Sequence, residues 1–235
     1  MYTLFHLSHT TGSTVMRALP WEFPKDPSLA NADRQFLLGP SLMVIPVLDQ
    51  GATSVNGVFP GISEGEVWYD WYTQTKVKAS AWQNMTIDAP LGHIPVYIRG
   101  NSILPTQEPG YTTAESRKNP WGLLVALSAR GAATGQLYID DGESLNPSAT
   151  LSVELEASHG HLSSKAIGTY VDINPLANVT VMGVSSCSGG KVSLNGKPVS
   201  SGVNYNKASG VLSITGLDKL TSSGAWKQNW ELTWT

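Results

Sequence analysis

The chain has 235 residues, is 41% hydrophobic and only 14% charged, and carries a formal net charge of −3. That length admits one large domain or two small ones, the acidic balance leaves no basic footprint for nucleic acid, and no apolar run is long enough to span a bilayer. The single cysteine, Cys187, excludes an internal disulfide and a cysteine-based metal site.

In chain order, Met1 to Thr11 sets Leu4, Phe5 and Leu7 on one side with Gly12 beyond them, and reads as the last turns of a helix. A signal peptide needs a basic start and a small-residue cleavage site, and neither is present here. Val15 to Leu19 is a short apolar run stopped by Pro20, so a buried strand is expected. Asp26-Pro27 supplies an N-cap and a proline for the first helical position, and Gly39-Pro40 supplies a stop. Together they predict a helix over 26–38. Leu42 to Leu48 is a second apolar run, interrupted by Pro46, that begins a new strand.

After Leu48 the texture becomes short apolar or alternating runs punctuated by Asn-Gly, Pro-Gly and Ala-Pro pairs, which indicates β-sandwich folding. Lys118 to Trp121 forms a polar, proline-containing joint. Three pieces follow from this reading. Residues 1–41 are helix, strand and helix of an α/β unit, 42–120 a first β domain, and 121–235 a second β domain.

Several blocks carry a family resemblance. Tyr2-Thr-Leu-Phe-His, Val15-Met-Arg-Ala-Leu, Trp21-Glu-Phe-Pro, Gln35-Phe-Leu-Leu-Gly-Pro, Val67-Trp-Tyr-Asp-Trp-Tyr, Pro90-Leu-Gly-His-Ile-Pro and Leu137-Tyr-Ile-Asp-Asp-Gly-Glu-Ser stand in the order and at about the spacing of glycoside hydrolase family 31 α-glucosidases, and the overall flavour resembles the secreted fungal type. The resemblance covers residues 1 to roughly 145 most specifically, with 146–235 similar mostly in pattern. It implies the end of a (β/α)8 catalytic barrel followed by two β-sandwich-like C-terminal domains. It also implies a mainly β chain from an enzyme that removes terminal α-linked glucose with retention. Such chemistry runs on two carboxylates and needs no cofactor. In the family both catalytic aspartates precede the segment matching Met1, so no catalytic residue carries over and this chain alone is expected to be inactive. The implied partners are the remainder of the barrel and α-glucoside oligosaccharides, with no nucleic acid and no membrane. The implied location is extracellular.

Barrel active sites lie where strands end, which makes Arg17, Trp21 and Glu22 candidates for the rim of a sugar cleft. Arg17 reads equally as a salt-bridge partner and Trp21 as packing under a loop. Asn84-Met-Thr and Asn178-Val-Thr are glycosylation sequons, either real or chance. Gly61-Ile-Ser-Glu-Gly65 matches a nucleophile elbow by letter, yet an aromatic strand follows instead of a helix, so a glycine-rich surface loop is expected.

In Asp140-Asp-Gly-Glu-Ser144, adjacent aspartates point to opposite faces of a strand and the Asp-Gly pair signals a hairpin; the EF-hand pattern for calcium is missing. His159-Gly-His161 lacks a third ligand for zinc and reads as a solvated loop, so no metal is assigned. Trp68, Trp71, Tyr72 and Trp82 form either a sugar platform or a core with an interface; aromatics on both faces favour the latter. A free-standing carbohydrate-binding β module is the alternative function. Residues 1–38 argue against it, because a free module has no use for one strand and one helix of a barrel.

Overall fold

A computed structural model describes residues 1–187 and 189–235. Contacts divide the chain into two units, one of Met1 and Thr3–Gly100 and the other of Tyr2 and Asn101–Thr235. No helix among the described residues is long and apolar enough to cross a membrane.

The first unit opens with helix α1 (Tyr2–Thr11), closed by Gly12 in the left-handed conformation as expected. Strand β1 (Met16–Arg17) follows, then the single turn α2 (Leu19–Glu22), whose Pro20 occupies the first turn where a missing N–H does no harm. The helix predicted over 26–38 does not form. Asp26 does cap a turn, its carboxylate accepting from the Ser28 amide at 3.0 Å, but the turn is a 3-10 segment limited to Pro27–Leu29. Its continuation, β2 (Phe36–Leu38), pairs instead with β1 and with β3 (Leu42–Val44). Gly39, at φ 57, is the bend of that hairpin and not a helix stop. Asn31-Ala-Asp-Arg supplies no apolar repeat for a longer helix, and ladder pairing with buried Leu37 outweighs a start signal that stabilises only one turn.

A two-stranded ribbon, β4 (Ser54–Gly57) with β6 (Met85–Asp88), lies outside the main sheet, which β5 (Trp68–Asp70) and β7 (Val96–Arg99) complete in the order β1-β2-β3-β7-β5. Directly opposed residues share a face. Arg17, Leu37, Met43 and Tyr97 therefore form one cross-strand row, and Trp68 opposes Arg99 one pleat along on that same face. Leu37, Met43 and Trp68 are fully buried with Leu19, Ile45 and Phe59 around them. Burial pushes the Tyr69 and Tyr97 hydroxyls up to about 12, Asp70 adding to the second.

The second unit is one sheet among the described residues. Its strands are β8 (Ser102–Gln107), β9 (Trp121–Ala126), β10 (Ala132–Ile139), β11 (Leu151–Ser158), β12 (His161–Gly168), β13 (Leu176–Met182), β14 (Val192–Leu194), β15 (Lys197–Pro198), β16 (Val203–Asn206), β17 (Val211–Thr215) and β18 (Trp230–Trp234). A short helix, α3 (Thr113–Ser116), sits between β8 and β9. The sheet order is β15-β14-β18-β12-β11-β10-β8-β9-β13-β17-β16. Strands far apart in that order, β14 with Leu194 and β17 with Ile214, feed one hydrophobic core, so the sheet curls back on itself. In β11 the alternation is strict: Leu151, Val153, Leu155 and Ala157 point inward and Ser152, Glu154 and Glu156 point out.

The junctions expected after 41 and after 120 are not boundaries. β2 and β3, on either side of the first, are neighbouring strands. β8 and β9, on either side of the second, are likewise paired. The reason is the same in each case: the turn signal joins two strands of one sheet instead of separating domains.

Asp172 is 8% exposed and takes hydrogen bonds from the Trp121 indole and, at 3.0 Å, from the Asn174 amide. Burial raises its pKa above the ordinary value, against the pull of both donors and of Arg117. A raised folded value means that the folded state holds the proton more tightly, so this group's contribution to stability is lost as pH rises through that value. Asp172→Asn removes the charge but keeps one acceptor oxygen where the carboxylate offers two, so its amide group turns a donor toward either the Trp121 indole or the Asn174 amide. Its stability relative to the parent chain is expected to improve as pH rises from the acidic range to neutrality. A melting series against pH checks this, and a pH-independent effect would contradict it.

A charge-paired cleft in the first unit

Four side chains on the Arg17 face of the first sheet meet in an alternating charge cluster. Arg17 comes from β1, Arg99 from β7, Glu22 from the last position of α2, and Glu66 from the segment before β5. Arg17 pairs with one oxygen of Glu22, and Arg99 approaches the other at 3.5 Å. Arg99 also pairs with Glu66, and its guanidinium lies 4.5 Å over the Phe23 ring. The Nε of Arg17 donates to the Thr14 carbonyl at 2.8 Å. Side-chain exposures of 13–26% place the cluster between core and solvent, where pairing is only partly screened.

This cluster forms one wall of a cleft of about 570 Å³. Glu22, Phe23, Glu66 and Arg99 line it together with Asp26, Ser63 and Trp82. The volume falls within the range of small-ligand sites.

The three rim candidates separate. Glu22 faces the cleft, Arg17 is held behind it as a salt-bridge partner, and Trp21 is exposed without lining the cleft. The residues missed from sequence are Arg99 and Glu66; Trp82, weighed in sequence as part of a sugar platform or a core, lines the cleft. A signal existed for Arg99, a lone charge ending the apolar run Val96-Tyr-Ile.

The other motifs resolve locally. Gly61-Ile-Ser-Glu-Gly65 is a 3-10 turn, Ile62–Glu64, between two left-handed glycines, so Ser63 sits on no strand-to-helix elbow. Trp68 is core; its indole donates to the Pro60 carbonyl at 3.0 Å, and its ring packs edge-on to Phe59. Tyr72 is exposed, with its hydroxyl on the Ile94 carbonyl and its ring 4.6 Å from His93.

Asp140 is buried while Asp141 is exposed, so the pair does not converge. β10 and β11 do form a hairpin, but residues 140–150 connect them, a longer link than the two-residue turn that Asp-Gly suggests. Asp141 instead caps its own loop, accepting from the Glu143 and Ser144 amides and the Ser144 hydroxyl, which lowers its pKa to about 2.

His159-Gly160 is the tight turn between β11 and β12, both residues at positive φ. His161 points to Glu231 at 3.5 Å. No group of three or more His, Cys, Asp or Glu side chains suited to a metal occurs among the described residues.

Residues 12–104 match the glycosyl hydrolase family 31 C-terminal domain. Over 99% of its length the chain is 59% identical to an α-glucosidase of Aspergillus oryzae, of which it covers 24%. It is 49% identical to glucoamylase 1 of Schwanniomyces occidentalis over the same shares of the two chains. In structure it superposes on glucosidase II alpha subunit with a TM-score of 0.84 at 23% identity, covering 100% of this chain and 27% of that one. The chain thus spans about a quarter of the length of the curated relatives it matches.

Proposed function

Because this chain belongs to glycosyl hydrolase family 31 through its C-terminal domain, we propose that it is the C-terminal part of a secreted α-glucosidase releasing terminal α-linked glucose. The observation that carries this reading is the 59% identity sustained across 99% of the chain. On this reading the catalytic carboxylates lie in the larger share of the enzyme that this chain does not cover, and α1 and β1 pack against that share. Helix α1 supports this: it has no buried residue, and Phe5, Met16 and Trp21 expose 54%, 62% and 61% of their surface. Exposed apolar side chains in these opening elements are what contact with the rest of the catalytic barrel would bury. A free-standing binding module has no use for that surface.

The purified 235-residue chain is expected to release no glucose from maltose. Release of glucose by the chain alone overturns this reading.

Passage through a secretory pathway makes the two sequons testable. Asn84 is exposed ahead of β6. Asn178 is half-buried in β13, between β9 and β17, and its side-chain amide lies over Gly122. A glycan is therefore expected at Asn84 and little or none at Asn178. In protein secreted from a fungal host, Asn84→Gln should remove the mass lost on deglycosylation while Asn178→Gln leaves it; the reverse pattern would contradict the strand placement.

A further inference from the structure

We infer that Asn195 is a site of spontaneous modification, at which the main-chain nitrogen of Gly196 attacks the side-chain amide and turns the asparagine into aspartate and isoaspartate. Asparagine is among the thermolabile residues, and a following glycine leaves the attacking nitrogen unshielded by any side chain. The chain has two such pairs, Asn56-Gly57 and Asn195-Gly196, and the fold treats them differently. Asn56 and Gly57 lie within β4, paired with Thr86 and Met85 of β6. Gly57 is buried, and the side-chain oxygen of Asn56 accepts from the Thr86 hydroxyl at 2.9 Å. Ring closure there has to pull the backbone out of its ladder.

Asn195 and Gly196 instead form the turn between β14 and β15, where Leu194 pairs with Lys197. Their φ values of 50 and 74 are those of the tight hairpin turn that Asn-Gly favours. Both residues are exposed, and nothing lies within 4 Å of where a side chain on Gly196 would start, so the ring and the water that opens it have room. The side-chain oxygen of Asn195 accepts the Glu231 N–H at 2.9 Å. That donor polarises the amide carbon and stabilises the negative charge that grows on the oxygen as the nitrogen adds. The new N–C bond closes a cyclic imide, and the side-chain nitrogen leaves as ammonia, taking up the proton lost from Gly196. Water then opens either carbonyl, so the net change is one water consumed and one ammonia released. The isoaspartate product lengthens the main chain of the turn and moves the oxygen away from Glu231. The turn is tied to β18 by that bond and by the Asn195 N–H, which donates to the Glu231 carbonyl at 2.8 Å. Conversion therefore loosens the end of the sheet where β15 and β14 lie.

The test is a peptide map of the whole 235-residue chain held folded at neutral pH, with a parallel sample in urea. In the folded chain Asn195 is expected to convert on the order of tenfold faster than Asn56, since only opening of the strand frees the latter. In urea the two rates should converge, because both asparagines are followed by glycine and no fold then separates them. Asn195→Gln should remove the early product and leave the map at Asn56 unchanged. The product carries one more negative charge, so ion exchange isolates it. In its isoaspartate form the Glu231 amide should exchange with solvent faster than in the parent chain. Conversion at Asn56 that matches Asn195 in the folded chain, or a folded chain in which Asn195 stays intact, overturns the site. Unchanged protection of the Glu231 amide in the isolated product overturns the loosening of the turn.

Discussion

Replacing Trp68 with alanine is expected to destabilise the first unit by about 3–5 kcal/mol, the range for truncating a large buried aromatic. Trp68 is wholly buried and joins the two sides of the core, with Phe59 at 6.3 Å edge-on and Phe23 at 6.4 Å tilted. Truncation opens a cavity between elements that β pairing holds apart, so the site cannot collapse to fill it. It also orphans the Pro60 carbonyl, which accepts the indole N–H at 3.0 Å. Trp68→Phe keeps most of the volume and loses that bond, so a smaller cost of about 1–2 kcal/mol is expected from the unsatisfied acceptor. Amide exchange separates the units: protection should fall across β5 and β7 and remain unchanged across β11 and β12. Loss spread evenly over both would contradict the division at Gly100.

Arg99→Met is the second large effect, expected at about 2–4 kcal/mol. Breaking a buried pair by removing one partner costs about 3–5 kcal/mol, and partial exposure of this cluster reduces it. Arg99 alone contacts both glutamates, so its loss leaves Glu66 without its cation and Glu22 with Arg17 only. The stacking on Phe23 is lost with it. Removing the partner charge as well tests the mechanism. Glu66→Gln added to Arg99→Met should recover part of the loss, a coupling readable in a double-mutant cycle of urea melts. Strict additivity would show that Arg99 acts by packing and not by charge.

The β texture, the N-terminal helix with its glycine stop, and the harmlessness of the G-x-S-x-G match were all legible in the sequence, because each rests on local periodicity or on a neighbour in the chain. The helix over 26–38 was not legible correctly. Asp26-Pro27 does start a turn, but whether Phe36-Leu-Leu continues it or joins a ladder depends on β1 and β3 beside it, which a local signal does not contain. Arg17 was legible only as an alternative. Its partner Glu22 is five residues away, whereas Arg99 is separated from Glu22 by seventy-seven positions and from Glu66 by thirty-three. Sheet register brings them together.

The central claim is that this chain completes an α-glucosidase whose catalytic carboxylates lie elsewhere in the polypeptide. The most direct measurement is maltose hydrolysis by a chimera in which this chain replaces the matching quarter of the Aspergillus oryzae α-glucosidase. The account predicts glucose release by the chimera and none by the chain alone. A chimera that folds and stays inactive, or a chain that hydrolyses maltose unaided, would contradict it.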